Sequence, residues 1–385
     1  MRPANPFFTT NPVPDDYFCD RKDDTENLIR EIICGNHVLL MSPRRMGKTG
    51  LINHLFEDEM IKDRYNTFFI DIFDTSTLQE LTFRLGKEVF DRMSLWDKVK
   101  ASGFLGVLKS LRGEFSYDPL TMGPRFALSV GQISDPSMTL DEIFSYLDSL
   151  ERPSLVAIDE FQQIAGYEET NVEAILRTKM QRLRNVRFIF SGSEPHLLSL
   201  MFATKARPFY RSGSTIVLDR IPEDVYCEFA CGLFELYGKS ISEDAVSSLY
   251  RIVDGYTYFL QRTMSYVFSR ISDGGAVFKA ELLLLLRGLL ETESHNFKNI
   301  LSLLTANQRQ LLSAIALAGK AENILSAEFV SRYHLGVPSS VQSSARSLLK
   351  KQMISRSGDV YTIDDKFLEL WLRDSAGVPL SNYDY

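Results

Sequence analysis

The sequence predicts an α/β fold: a parallel five-stranded sheet sandwiched by helices, then a helical region, then a small domain of three helices and a hairpin. Three observations carry this. Short apolar runs alternate with amphipathic stretches over the first 220 or so residues, the pattern of parallel strands covered on both faces. Strand-like runs then stop and helical spacing takes over. From about Thr305, three helical stretches precede two strand-like pieces separated by Ser357-Gly358. These shifts divide the chain into expected domains at 1–220, 221–300 and 301–385.

In order, His37 to Met41 reads as a short buried strand and Lys48 to Phe56 as a helix. Thr67 to Ile72 is a second strand and Leu78 to Met93 a second helix. The glycines and prolines of 100–138 predict an irregular insertion. A helix around Leu140 to Leu150 enters a third strand, Leu155 to Ile158; Val186 to Phe190 and Thr215 to Leu218 are the fourth and fifth. Helices are then expected at Glu223 to Tyr237, Glu243 to Val253, Phe259 to Ile271 and Lys279 to Leu290, with a turn at Asp273-Gly274-Gly275. The final unit has helices at Asn307 to Leu317, Ala327 to Tyr333 and Ser339 to Lys351, then strands around Met353 to Ser355 and Val360 to Ile363, a winged-helix pattern. Ser339 and Gln342 have the spacing of a capping box for its third helix.

Composition excludes several classes. With 385 residues, 44% hydrophobic and 24% charged, the chain is neither disordered, collagen-like nor coiled-coil. A net charge of −7 argues against a protein that coats nucleic acid by charge alone, though not against a local basic patch. Four cysteines make no disulfide framework, and Cys227 and Cys231, sharing a helix face, read as buried thiols. The five histidines are scattered without metal-ligand spacing. The proline-rich start lacks a signal-peptide pattern, and the longest aliphatic run, Leu282 to Leu286, is far short of a membrane span, so a reducing, cytoplasmic setting is expected.

The most informative stretch joins the first strand to the first helix of the sheet. Ser42, Pro43, Arg44, Arg45, Met46, Gly47, Lys48, Thr49 and Gly50 follow the phosphate-loop pattern G-x-x-x-x-G-K-[ST], with Ser42 at the first glycine position. Backbone N–H groups at a helix start wrap phosphate oxygens. Gly47 permits close approach, Lys48 neutralises the β- and γ-phosphates, and the Thr49 hydroxyl is a Mg²⁺ ligand. Serine at position 42 is compatible with the tight turn if its φ stays negative.

A second signature follows in the right order. Leu155-Val156-Ala157-Ile158 is an apolar strand ending in Asp159-Glu160. Asp159 is placed to hold Mg²⁺ and Glu160 to orient or deprotonate a water, a pair that favours hydrolysis over binding alone. With the third strand next to the first, the tip of the fourth, Ser191-Gly192-Ser193-Glu194, falls near the γ-phosphate, where Ser193 can sense it; a polar turn into the next helix is the other reading. Arg207, in Arg207-Pro208-Phe209-Tyr210, reads either as a phosphate-reaching arginine, for its own or a neighbouring subunit's nucleotide, or as a surface residue. Arg44 and Arg45 are candidates for γ-phosphate contact or for solvent.

These motifs, with Phe18 to Arg21, SPRRMGKT (42–49), LVAIDEFQ (155–162), FIFSGSE (188–194), RPFY (207–210), DGYTYFLQ (254–261) and YTIDDKFLELWLR (361–373), resemble the archaeal-type ATPase family, a branch of the AAA+/STAND P-loop ATPases. The resemblance runs from about Tyr17 to Asp374. It implies an ASCE-type five-stranded sheet, a helical lid, a C-terminal winged helix, and ATP or ADP with Mg²⁺ as ligand. It also implies that Tyr17 and Phe18 flank the base; core packing is the other reading of both. Three positions depart from the pattern: Ser42 for Gly, Asp20-Arg21 for Gly-Arg, and Thr257 for the proline of a lid G-x-P element, which leaves Tyr256 as the candidate adenine contact.

Three functions follow. The first is an ATP-hydrolysing switch that rearranges its lid and winged helix, with a protein client or a second copy of the chain as partner. The second is a DNA-associated regulator, reading DNA with Ser339, Ser340, Gln342, Ser343 and Arg346 while Val341, Ala345, Leu348 and Leu349 face the core. Arg346, Lys350 and Lys351 are the only cations of that helix stretch, so a domain that docks and reports nucleotide state is favoured. The third, suggested by Ser42 and Thr257, is a nucleotide-binding scaffold with negligible turnover.

Overall fold

The computed structural model describes residues 2–10, 12–92, 113–117, 124–128 and 135–380. The chain forms two compact units, one of residues 11–15 and 21–219, the other of 1–10, 16–20 and 220–385.

The first unit holds a five-stranded sheet in the order β2-β5-β6-β1-β7, with β1 Val38–Met41, β2 Asn66–Asp71, β5 Ser154–Asp159, β6 Val186–Gly192 and β7 Ser214–Val217. Every pairing is parallel. One expectation is corrected here: the third strand of this sheet, β5, is not beside β1, because β6 lies between them. The run Phe188, Ile189, Phe190 is buried on both faces, which suits the central position. At the edge, β7 alternates half-buried and exposed residues. The consequence reaches the site, since Met41, where the phosphate loop begins, pairs in register with Gly192.

Beneath the strand tips lies an aromatic cluster. Phe161 meets Phe190 at 4.5 Å and Phe209 at 5.2 Å between centroids, and Phe202 meets Phe190 at 5.4 Å. Phe161 directly follows Glu160, so burial of this ring anchors the chain where the acids leave the sheet. Most of 100–138, read as an irregular insertion, lies outside the described residues. Within it, β3 Gly113–Tyr117 and β4 Pro124–Leu128 form an antiparallel hairpin. The next helix, Pro136–Ser149, starts earlier than expected, with Pro136 in its first turn and the Asp135 side chain accepting from the Met138 N–H.

His37 sits against this sheet. Its Nδ1 accepts from the Phe188 N–H at 3.2 Å, which requires the neutral ring. Burial, reinforced by Arg187 and Arg177, lowers its pKa to about 4. A depressed folded-state pKa means that the stability is present above the unfolded value near 6.5 and lost as pH falls toward 4. Denaturant titrations are expected to show about 3 kcal/mol lost across that window, and His37→Gln to flatten the acid limb.

In the second unit, Phe7 packs among Phe229, Phe234 and Phe268, so the N-terminal segment belongs to this core. Its helices Glu223–Leu236, Glu243–Ile252 and Thr257–Phe268 match expectation within a few residues. The next, expected to end at Leu290, continues as Lys279–Ser302, because Ser294 and Phe297 carry the buried stripe across the polar run after Leu290. Strands do not stop entirely after residue 220: Ser240–Ile241 and Ala276–Val277 pair in parallel. Burial pushes the Cys227 thiol up to about 11, as expected of an inert thiol, and raises that of half-buried Cys231.

The winged helix comprises helices Ala306–Ala318, Ala327–Arg332 and Pro338–Lys350 and a three-stranded sheet in which Val360–Ile363 lies between Ala321–Glu322 and Ile354–Ser357. The expected capping box at Ser339 does not form. Pro338 opens that helix, and Val337, which has no side-chain acceptor, is its N-cap. A capping box occurs instead at Thr305 and Gln308. Among the described residues no helix is long and apolar enough to cross a membrane.

Candidate functional site

The loop after β1 has the backbone its sequence requires. Arg45 and Gly47 have φ of 68° and 93°, whereas Ser42 does not take a positive φ. Ser42 is fully buried and its hydroxyl donates to the Pro43 carbonyl at 3.1 Å. Gly47 is the N-cap of the helix Lys48–Glu57, and no side chain caps that helix, so its first-turn N–H groups face the loop without a side-chain acceptor. Lys48 is buried, its ammonium folded onto the carbonyls of Ser42 at 3.0 Å and Pro43 at 3.1 Å. Burial pushes its pKa down, against the opposing pull of Asp159 and Glu160.

Arg21 braces the loop from behind. Its guanidinium donates to the Asp219 carbonyl at 2.6 Å and to the Met46 carbonyl at 3.4 Å, and pairs with Asp24 at 3.1 Å. Asp20 and Arg21 both have positive φ, 53° and 71°, which explains why glycine suits the first of these positions in the resembled pattern. Arg21→Ala is expected to cost roughly 2–3 kcal/mol by urea denaturation, because a charged donor to two backbone carbonyls is lost.

The acids converge on the loop. The Thr49 hydroxyl donates to Asp159 Oδ2 at 2.9 Å, while Asp159 Oδ1 accepts from the Ser191 hydroxyl and, at 3.0 Å, from the Glu160 N–H. Glu160 is left-handed, with φ of 57°. Its Oε2 accepts from the Ser193 hydroxyl at 2.7 Å, the Ser193 N–H at 3.3 Å and the Gln162 amide. Arg44 Nε donates to the Ser193 hydroxyl at 3.1 Å, and its guanidinium lies 5.3 Å from the Phe73 ring centroid. Arg44 Nη2 is buried without a partner, an unspent donor at the loop mouth. Asp71, the register partner of Asp159, has a raised pKa, chiefly from burial, with Asp159 and Glu160 adding to it against the Phe73 N–H bond.

Lys48, Thr49, Asp159, Glu160, Ser193 and Arg44 are therefore brought together, and Ser191 and Gln162 join them unforeseen. Both lie inside stretches already singled out, FIFSGSE and LVAIDEFQ, but nothing in their spacing marks their contacts. Arg207 is engaged elsewhere, its guanidinium donating to Glu173 at 2.8 Å. Arg45 is exposed and Met46 buried. Tyr17, Phe18 and Tyr256 belong to the other unit. Tyr17 is buried there, its hydroxyl 3.1 Å from that of Tyr237. Tyr256 is the N-cap of Thr257–Phe268, with the Arg220 guanidinium 5.8 Å from its ring centroid. Thr257 is the first residue of that helix, a position proline also fits.

No cluster of three or more His, Cys, Asp or Glu able to hold a metal occurs among the described residues. The Thr49 hydroxyl and Asp159 carboxylate suit an ion of the Mg²⁺ class, which takes one or two protein oxygens and keeps several waters.

Residues 295–374 match a family described as "Probable winged helix domain". No curated protein matches the chain. Among solved structures, a Walker-type ATPase of Pyrococcus abyssi is 18% identical, with 96% of this chain and 99% of that one covered and a TM-score of 0.61. The ORC2 protein of Aeropyrum pernix, solved as ADPNP–ADP complexes, is 11% identical over 95% and 97% of the chains at 0.56. The ORC1 protein of the same organism, solved with DNA, is 12% identical over 97% of each at 0.53. The chain thus shares the fold of these solved proteins, a five-stranded parallel sheet followed by a helical region and a winged helix.

Proposed function

We propose that the chain binds ATP at the Ser42–Gly50 loop and hydrolyses it, using the change to rearrange its helical and winged-helix parts. The observation that supports this most is the convergence of Lys48, the Thr49–Asp159 pair and the Glu160–Ser193 pair at the mouth of one loop. The helix-start N–H groups and Lys48 hold the polyphosphate. Lys48 now spends its ammonium on two backbone carbonyls, which phosphate oxygens replace. Arg44 Nη2 meets the γ-phosphate, while the Ser193 hydroxyl, whose one proton goes to Glu160 Oε2, holds the base beside it. Thr49 and Asp159 would hold Mg²⁺, which when bound neutralises charge building on the phosphates. Glu160 takes a proton from the attacking water as the water oxygen bonds to the γ-phosphorus and the bond to ADP breaks. Phosphate release from ATP, abolished by a divalent-metal chelator, is expected; no release above a blank sinks this reading.

A second reading is favoured by one observation. On Pro338–Lys350, Ser339, Gln342, Ser343 and Arg346 are exposed while Val341, Ala345 and Leu348 are buried, so a polar face is available for the DNA contact that the Aeropyrum ORC1 structure includes. Salt-sensitive binding to a DNA duplex, lost on Arg346→Ala with Lys350→Ala, supports it; identical binding by wild type and double variant discards it.

A further inference from the structure

We infer that Gln162 is a positioning residue for the hydrolysis, fixing which oxygen of Glu160 is offered to water; this rests on the reading of Glu160 as the base.

Gln162 lies in a short 3-10 helix, Phe161–Gly166, immediately after the acids. It is 2% exposed, in the same short helix as the buried Phe161 and Ile164. Its amide donates Nε2 to Glu160 Oε2, a bond strengthened by the carboxylate charge. Its Oε1 is buried with no partner. An orphaned buried acceptor is normally selected against, so the donor end must matter enough to retain the amide.

A second residue gives way to the same amide. A Cβ built on Gly192 would lie 2.0 Å from Gln162 Oε1 and 2.7 Å from Leu198 Cδ1. Gly192 does not have a positive φ, so the backbone does not require glycine there; the space occupied by Gln162 does. Two positions far apart in sequence are thus committed to one hydrogen bond to Glu160.

That bond has a directional effect. Gln162 Nε2, the Ser193 hydroxyl and the Ser193 N–H all converge on Glu160 Oε2. Among the described residues no hydrogen bond is made to Oε1. The carboxylate is anchored through one oxygen, which leaves the other to accept the proton of the attacking water. With φ of 57°, Glu160 is on a backbone that does not hold the side chain by helix or strand packing, so the side-chain bonds set its aim. Ser193 is shared with Arg44 and so responds to the phosphate end, whereas Gln162 holds the carboxylate from the core side.

The test uses the full chain. Gln162→Met keeps the length and removes the donor; Gly192→Ala displaces the amide from the opposite side. Each is expected to lower kcat roughly 100-fold, since a misaimed base of this kind costs about that much, while Kd for a non-hydrolysable ATP analogue stays within about twofold. In a Glu160→Gln background, Gln162→Met is expected to add no further loss, because both act through one group. Wild-type kcat for Gln162→Met, or an equal further loss in the Glu160→Gln background, overturns the proposal with the base reading intact. Equal turnover by wild type and Glu160→Gln overturns the base reading itself and the proposal with it. If Gln162→Met melts early, Gly192→Ala with a normal melting curve decides by the same criteria.

Discussion

Glu160→Gln is expected to lower ATP turnover by roughly 10²–10⁴-fold, the range for loss of a general base, with nucleotide affinity nearly unchanged. The substitution keeps the side-chain shape and can still accept from Ser193 and Gln162, so the local fold survives. What it removes is the basic oxygen. Phosphate release measured under saturating ATP separates this from a binding defect. Equal release above the blank would remove Glu160 from the catalytic step, and release at the blank level by both would favour the scaffold with negligible turnover.

Lys48→Ala is expected to weaken ATP binding by roughly 100-fold or more, because two charge-assisted bonds worth about 1.5–3 kcal/mol each are lost from the phosphates. In the empty protein two effects oppose each other: the Ser42 and Pro43 carbonyls lose a charged donor, as in Arg21→Ala, while the buried ammonium is removed. Burial already lowers the pKa of Lys48, so the folded state bears a desolvation cost that an apolar residue does not. Lys48→Met is therefore expected to bind ATP as poorly as Lys48→Ala with a stability loss smaller than that of Arg21→Ala. An affinity loss accompanied by an equally large stability loss would make Lys48 a structural residue first.

The strands and the two acidic and glycine-lysine signatures were legible because each is local: four to seven apolar residues, then the residues that chemistry requires at a strand end. Strand order was not, because pairing is non-local, and the insertion of β6 between β1 and β5 depends on how apolar runs distribute across the sheet. With β6 between them, Ser191 and Ser193 stand beside the loop and hydrogen-bond to Asp159 and Glu160. Gln162 and Ser191 escaped for the same reason, since their roles exist only across strands. Arg207 shows the converse. Its position in a motif suggested phosphate, but Glu173, on the helix Val172–Met180, offers a partly buried carboxylate and takes it. Helix limits shifted where a single residue outweighed periodicity: Pro338 displaced the box at Ser339, and Phe297 carried a helix past Leu290.

The central claim is that the loop from Ser42 to Gly50 receives a polyphosphate. Isothermal titration of the wild-type chain with ATP in the presence of Mg²⁺ addresses it without requiring turnover. Saturable heat at one site per chain is expected, with the affinity lowered roughly 100-fold or more in Lys48→Ala. A flat titration at millimolar ATP, or identical isotherms for the two proteins, would contradict it.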